Sequence, residues 1–230
     1  MQRKTHYSKV EVFRQSPSLA HLGEEVLNEL ADISTQRRYS KGKFIFFEGD
    51  PPLEVLYIVQ EGKVKLFKES HSGKIHTFSI AHYGDTLHGI VLFTGQPCWI
   101  SAQAMDEVTL LCLEKNAFLS FVTRHPGILM KIVEILGNQI NTTHTRLMEF
   151  VSEDVQQRLL NVLSMLFAKF GATLFFTNEE LAELAGTTTE TTIRIIGRLK
   201  KSGIIDTRRG EVRILDSGRL NDLSNNLIMI

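Results

Sequence analysis

Apolar and polar positions alternate with a period of two through much of the first half of the chain, and the pattern changes to a helical one near Gly127. Between about Tyr39 and Leu113 the segments KGKFIFFEGD, EVLYIVQEGKVKLFKES, KIHTFSIAHYGD and EVTLLCLEK are punctuated by glycines at 42, 49, 62, 73 and 84. Stretches such as Lys63-Val64-Lys65-Leu66-Phe67 between glycine turns predict antiparallel strands. Several strands at near-regular spacing predict a barrel or roll. A small roll can enclose a ligand, so this half is the candidate sensor.

From Gly127 to Phe150 the apolar residues follow a coiled-coil seam. Leu129, Val133, Leu136, Ile140, Thr143, Leu147 and Phe150 fall at gaps of alternately four and three, with Thr143 the one polar member. Ile128, Ile132 and Ile135 form a second stripe. Two stripes suit a helix that packs on its own domain and on a partner; the alternative is a core helix serving the roll alone.

The stretch from Val151 to about Ile214 reads as three helices and a short hairpin. Leu159, Leu160, Leu163, Leu166 and Phe167 mark the face of the first helix, which Gly171 ends. Thr177-Asn178-Glu179-Glu180 carries a Thr-x-x-Glu capping box, so a helix starts there, with Leu181, Ala182, Leu184 and Ala185 inward and Gly186 as its stop. A further helix follows with Thr187 or Thr188 as cap, an apolar face of Ile193, Ile196 and Leu199 with Ile195 adjoining, and an end at Gly203. Two short helices around a tight glycine turn form the unit whose second helix enters the major groove of DNA.

Composition is that of an ordinary globular protein, 43% hydrophobic and 23% charged over 230 residues. No apolar run is long enough for a membrane helix, and the basic, polar segment from Met1 to Val10 is unlike a signal peptide, so a cytoplasmic location is expected. Cys98 and Cys112 give no disulfide framework and read as buried small hydrophobes. Net charge is zero, yet the stretch from Thr187 to Arg213 holds seven basic residues against three acidic ones. Such a local surplus suits phosphate contact.

Chemistry on the last helix sharpens this picture. Glu190 and Arg194 lie four apart on one face. Arginine can grip guanine O6 and N7 bidentately and glutamate can accept from cytosine N4, each contact contributing about 1 to 3 kcal/mol of base discrimination. The plainer alternatives are a surface ion pair or a capping box between Thr187 and Glu190. Thr188, Thr189 and Thr191, with Arg198, Lys200 and Lys201, are candidate phosphate contacts. Arg208-Arg209-Gly210 makes a basic hairpin turn, as a wing would.

With these residues in place, the chain resembles the Crp/Fnr family of bacterial transcription regulators over nearly its whole length, from FEGD and YIVQEGKVKLF through HPGILMKI to the terminal winged helix. The resemblance implies that Glu190 and Arg194 read bases, with Ile193 beside them as a DNA-contacting residue. TTTETTIRIIGRLKKSGII is most similar to the Fnr-like branch, in which a serine stands where this chain has Ile193, and it implies a half-site of the TTGA type. It also implies a double-stranded DNA operator, a homodimer, a small-molecule effector, and RNA polymerase as a partner if the protein activates.

The sensor half departs from the family's cyclic-AMP pattern. Where that pattern has a Gly-Glu-Leu turn and an Arg-Ser pair, this chain reads His88-Gly89-Ile90 and Gln96-Pro97, and no arginine lies between Ala81 and Asn116. An anion needs convergent N–H donors and a fixed positive charge, so cyclic AMP is disfavoured. Thr143 matches the family threonine that meets the adenine ring. The family's iron-sulfur branch uses cysteines near the N-terminus, and here none precedes Cys98, which argues against that cluster. His88 stands where a haem-binding relative has its iron ligand, so a haem- or metal-dependent gas or redox sensor is an alternative reading. Otherwise the effector is an unidentified small ligand lined by His88, Gly89, Ile90, Gln96, Trp99 and Thr143.

The expected fold is therefore α+β: an antiparallel β-roll of the cyclic-nucleotide-binding type with an N-terminal helix over residues 1–126, a dimerisation helix over 127–151, and a winged helix-turn-helix over 152–230. No nucleophile-base pair, phosphate loop or metal-ligand spacing is present, which points to a regulator and not an enzyme. A reading of another class is a small-molecule-binding module whose terminal domain makes protein contacts.

Overall fold

The computed structural model describes residues 7–224; the outer ends of the first and last expected domains, at 1 and 230, lie outside the described residues. They form two compact units. One contains the roll and the long helix through Asn138; the other runs from Gln139 onward and includes the short stretch Ile75–Thr77.

The roll consists of two four-stranded sheets. Strands β1 (Ser34–Tyr39), β3 (Val55–Glu61), β6 (Thr86–Leu87) and β8 (Val108–Glu114) form the first, in the order β1-β8-β3-β6. Strands β2 (Phe44–Phe46), β4 (Val64–Glu69), β5 (Ile75–Ala81) and β7 (Ser101–Ala104) form the second, in the order β2-β7-β4-β5. Alternation decides which side chains go where. Leu110 and Cys112 point between the sheets with Tyr57, Val59, Val64 and Ala102, whereas Leu111 and Leu113, one residue out of phase, face the helices outside. Those helices are α1 (Lys9–Gln15), α2 (Glu24–Asp32) and α4 (Lys115–Arg124), which bury Phe13, Leu27, Leu30, Phe118 and Phe121 against the sheet. The turn glycines at 42, 49, 62, 73 and 84 all have positive φ. At Gly62 the requirement is twofold, since an added Cβ would also stand 2.5 Å from the Glu107 carbonyl oxygen.

A one-turn helix, α3 (Val91–Thr94), follows β6. The long helix α5 spans Gly127–Ser152. Its first half sends Ile128 and Ile132 into the core shared with α2 and α4.

The second unit is built on α6 (Val155–Phe170), capped by Asp154 and buried through Leu159, Leu160, Val162, Leu163 and Leu166. Gly171 closes it at φ 79, as its position in the sequence predicts. Then come β9 (Thr173–Leu174), α7 (Asn178–Ala185), α8 (Thr189–Lys201), β10 (Ile205–Arg208), β11 (Glu211–Ile214) and α9 (Ser217–Leu223). The expected hairpin gains a third strand, because Leu174 pairs with Val212, giving the order β10-β11-β9.

Candidate nucleic-acid interface and sensor site

Local capping sets the ends of α7 and the start of α8. The Thr177 hydroxyl accepts the Glu180 backbone N–H at 3.2 Å while the Glu180 carboxylate accepts the Thr177 N–H at 2.7 Å, completing the capping box of α7. Gly186 ends α7 in the left-handed region at φ 63. Thr188 caps α8 by accepting the Thr191 N–H at 3.2 Å. That choice of cap removes the expected alternative of a box between Thr187 and Glu190.

The apolar face of α8 differs from the expected one. Thr192, Ile195, Ile196 and Leu199 are buried, whereas Ile193 is 52% exposed. Hydrophobicity alone favours Ile193 as an inward residue, but at about 100° per residue the buried arc centred on Ile195, Ile196 and Leu199 takes in Thr192 and leaves Ile193 outside. The outward arc then carries Thr189, Glu190, Ile193, Arg194 and Arg198 together, all exposed. Neither Glu190 nor Arg194 has an ion-pair partner among the described residues, so the alternative of a surface pair between them is not formed.

The flanking basic residues divide into two groups. Lys201, Arg208 and Arg209 are exposed, the arginines at the tip of the β10-β11 hairpin, where Arg208 pairs with Glu211 across the Arg209-Gly210 turn. Lys200 is tethered instead: its ammonium lies 2.8 Å from Asp206 Oδ1 and donates to the Thr207 carbonyl at 3.2 Å, and this bond holds the Asp206 carboxyl below its usual range. Arg198 donates to Gln156 Oε1 at 3.3 Å, reaching across to α6.

Along α5, most of the expected seam stands open on the single chain. Leu129, Val133, Ile140 and Leu147 are exposed, Leu136 is half-buried, and the Thr143 hydroxyl turns back to the Gln139 carbonyl at 2.8 Å. Phe150 is also half open, with one ring edge against Gly186.

In the roll, the rings of Phe46 and Trp99 pack around His88. It is the one non-glycine residue with positive φ among the described residues, at 48°. A side chain in that region costs on the order of 1 to 3 kcal/mol, held here by the surrounding packing. The Phe46 ring lies 5.9 Å from the imidazole centroid and Trp99 meets it edge-on at 4.6 Å. His88 is 7% exposed, and its Nε2 has no hydrogen-bond partner among the described residues. Burial pushes the imidazole down to about 4, so it is neutral at pH 7. Gly89 sits behind it with no room for a Cβ, which would stand 2.9 Å from Thr86 Cγ2. Ile90 is half-buried, whereas Gln96 is exposed on the loop before Cys98. Thr143 belongs to the other unit. Burial raises both thiols, Cys98 and Cys112, as suits packed side chains better than reactive ones.

Sequence reasoning missed Phe46 as a neighbour of His88, and it missed the part α6 plays beneath the reading helix through Gln156 and Arg158. Both depend on contacts across long sequence separations; the one available signal was the inward phase of Phe46 in its strand.

Two family models match the chain: a cyclic nucleotide-binding domain over residues 36–125 and a Crp-like helix-turn-helix domain over residues 157–223. The chain is similar to the cyclic AMP receptor protein of Thermus thermophilus, with 27% identity over 210 residues that cover 91% of this chain and 97% of that one. It is also similar to the CRP-like cAMP-activated global transcriptional regulator of Mycobacterium tuberculosis, 27% identical over 190 residues covering 79% and 84%. The solved structure of FixK2 from Bradyrhizobium japonicum shares the fold, with a TM-score of 0.75 at 17% identity, covering 84% of this chain and 98% of that one.

Proposed function

Because the chain belongs to the Crp/Fnr family and is a DNA-binding transcription regulator with an effector-sensing roll, we propose that it reads a near-palindromic operator as a homodimer through Glu190 and Arg194. The observation that carries this reading is the outward arc of α8, where Glu190, Ile193 and Arg194 stand exposed beside a basic hairpin tip, the two charged residues without ion-pair partners among the described residues. Arg194 takes guanine, Glu190 accepts from cytosine, and Ile193 offers an apolar contact to a thymine methyl. Thr188, Thr189, Thr191, Lys201, Arg208 and Arg209 meet phosphates. Arg198 and Lys200 do the same only by leaving Gln156 and Asp206.

A second copy covers the exposed seam of Leu129, Val133, Leu136, Ile140 and Leu147, and two reading helices then engage half-sites about 34 Å apart. The roll matches a cyclic nucleotide-binding domain, yet the residues around His88 disfavour cyclic AMP as its effector. No arginine lies near His88 in sequence to hold a phosphate, and a neutral buried imidazole gives no fixed charge. The effector is a small molecule gathered by His88, Gly89, Ile90, Gln96 and Trp99 in the cytoplasm. It acts only through different affinities for the two states of the DNA-binding unit.

The test is selection of duplexes from a randomised library by the wild-type chain, followed by Arg194→Ala. Loss of about 5- to 150-fold in affinity, with relaxed preference at one base pair per half-site, is expected. Unchanged preference in the variant would remove Arg194 from the reading role.

A further inference from the structure

The last turn of α5 is fastened to the turn between α7 and α8. The Phe150 ring lies directly on Gly186, where an added Cβ would stand only 2.9 Å from Cζ, and the ring also touches that position through Cε1. Arg158, in the first turn of α6, holds the other side. Its guanidinium stands 5.1 Å from the Phe150 ring centroid, its Nε donates to the Ala185 carbonyl at 3.1 Å, and one terminal nitrogen donates to the Glu153 carbonyl at 2.9 Å. Ala185 is the last residue of α7, and the cap of α8 follows three residues later. Further along the same contact, Asn161 donates to Glu149 at 2.9 Å, and Arg146 points a terminal nitrogen at the Met165 sulfur at 3.0 Å.

We propose that Arg158 and Phe150 are positioning residues for DNA reading: they tie the end of α5 to the Gly186 turn, so that the orientation of Glu190 and Arg194 follows the end of the long helix. This rests on the reading of α8 given above. Its physical basis is that a planar guanidinium satisfies two backbone carbonyls in fixed directions while stacking on an aromatic ring, an arrangement lysine cannot reproduce. Gly186 supplies both a left-handed φ and the space for the ring. The consequence is that Phe150, placed by its heptad spacing in the seam, acts within its own chain.

The experiment uses the full-length protein and a duplex selected by the wild type. Phe150→Ala and Arg158→Lys are each expected to weaken operator binding tenfold or more, leaving binding to a random duplex, its salt slope and the sedimentation coefficient unchanged. The double variant is expected to lose no more than the worse single one, because both break one contact. Phe150→Leu, which keeps an apolar contact on Gly186, is expected to recover most of the affinity. Operator binding at wild-type strength in both single variants would overturn the proposal, as would losses that multiply in the double variant. So would dissociation of a dimer by Phe150→Ala, which would return Phe150 to the seam. If Arg158→Lys fails to fold, the phenylalanine pair still decides. A wild-type chain that selects no sequence would remove the reading of α8 itself, an outcome distinct from all of these.

Discussion

Trp99 meets His88 edge to face, with ring centroids 4.6 Å apart, and it is the chain's one tryptophan. Its fluorescence therefore reports on the imidazole. His88 is neutral when folded, with its proton affinity pushed down to about 4, whereas the unfolded chain takes up that proton near the ordinary value of 6.5. The unfolded state thus binds more protons between those limits, and stability is lost as pH falls from about 6.5 toward 4. The expected loss is on the order of 2 kcal/mol. Urea midpoints at pH 7.5 and pH 5, followed by Trp99 emission, should differ in the wild type and converge in His88→Phe, which keeps a ring but takes no proton.

Thr188 fixes where the reading helix begins, through its bond to the Thr191 N–H. Thr188→Ala should cost about 1 kcal/mol of unfolding free energy in the terminal unit, read from its urea denaturation, and Thr188→Asn should cost much less, because asparagine caps as well. A larger defect in operator binding than in stability is expected for the alanine variant, since the first turn also carries Glu190.

The wing tip can be separated from the reading helix by salt. Arg208→Ala with Arg209→Ala should lower the slope of log affinity against log salt by about 2 while leaving base preference intact. A change in preferred sequence would mean that the hairpin reads bases and does not merely position the domain.

The seam predicts an assembly state. Ile140, 56% exposed on the single chain, should be covered in a dimer, so Ile140→Glu should shift the protein toward monomer in sedimentation and weaken binding to a two-half-site duplex more than to a single half-site. A monomeric wild type would remove the seam.

The helix-turn-helix was legible because its signals are local. Thr177 and Glu180 are three apart, Gly186 follows the last apolar position, and the threonine cap precedes α8, so each is set by chemistry within one turn. Ile193 was misplaced on the inward face of α8 for the opposite reason. Hydrophobicity ranks isoleucine above threonine, yet packing against α7 and the hairpin chooses the arc, and Thr192 lies in it. The roll's turns were readable from glycines that need positive φ, but the same conformation at His88 was not, because a histidine there is imposed by distant packing. Helix α9 and strand β9 were missed for want of length, whereas α4, whose buried Phe118, Phe121 and Val122 keep helical spacing, was readable and passed over. Arg158 was invisible as a tether because its acceptor on Ala185 lies 27 residues away.

The uninterrupted run of α5 over 26 residues, about 39 Å at 1.5 Å per residue, makes angular phase the quantity its length must respect. One residue inserted near Asn138 would turn Ile140 and Leu147 by about 100° off the helix stripe that Leu129 and Val133 begin, whereas seven would return them to it within about 20°. Gene-level insertions into this helix should therefore be tolerated by periodicity and not by size, a seven-residue lengthening doing less harm than a single extra amino acid.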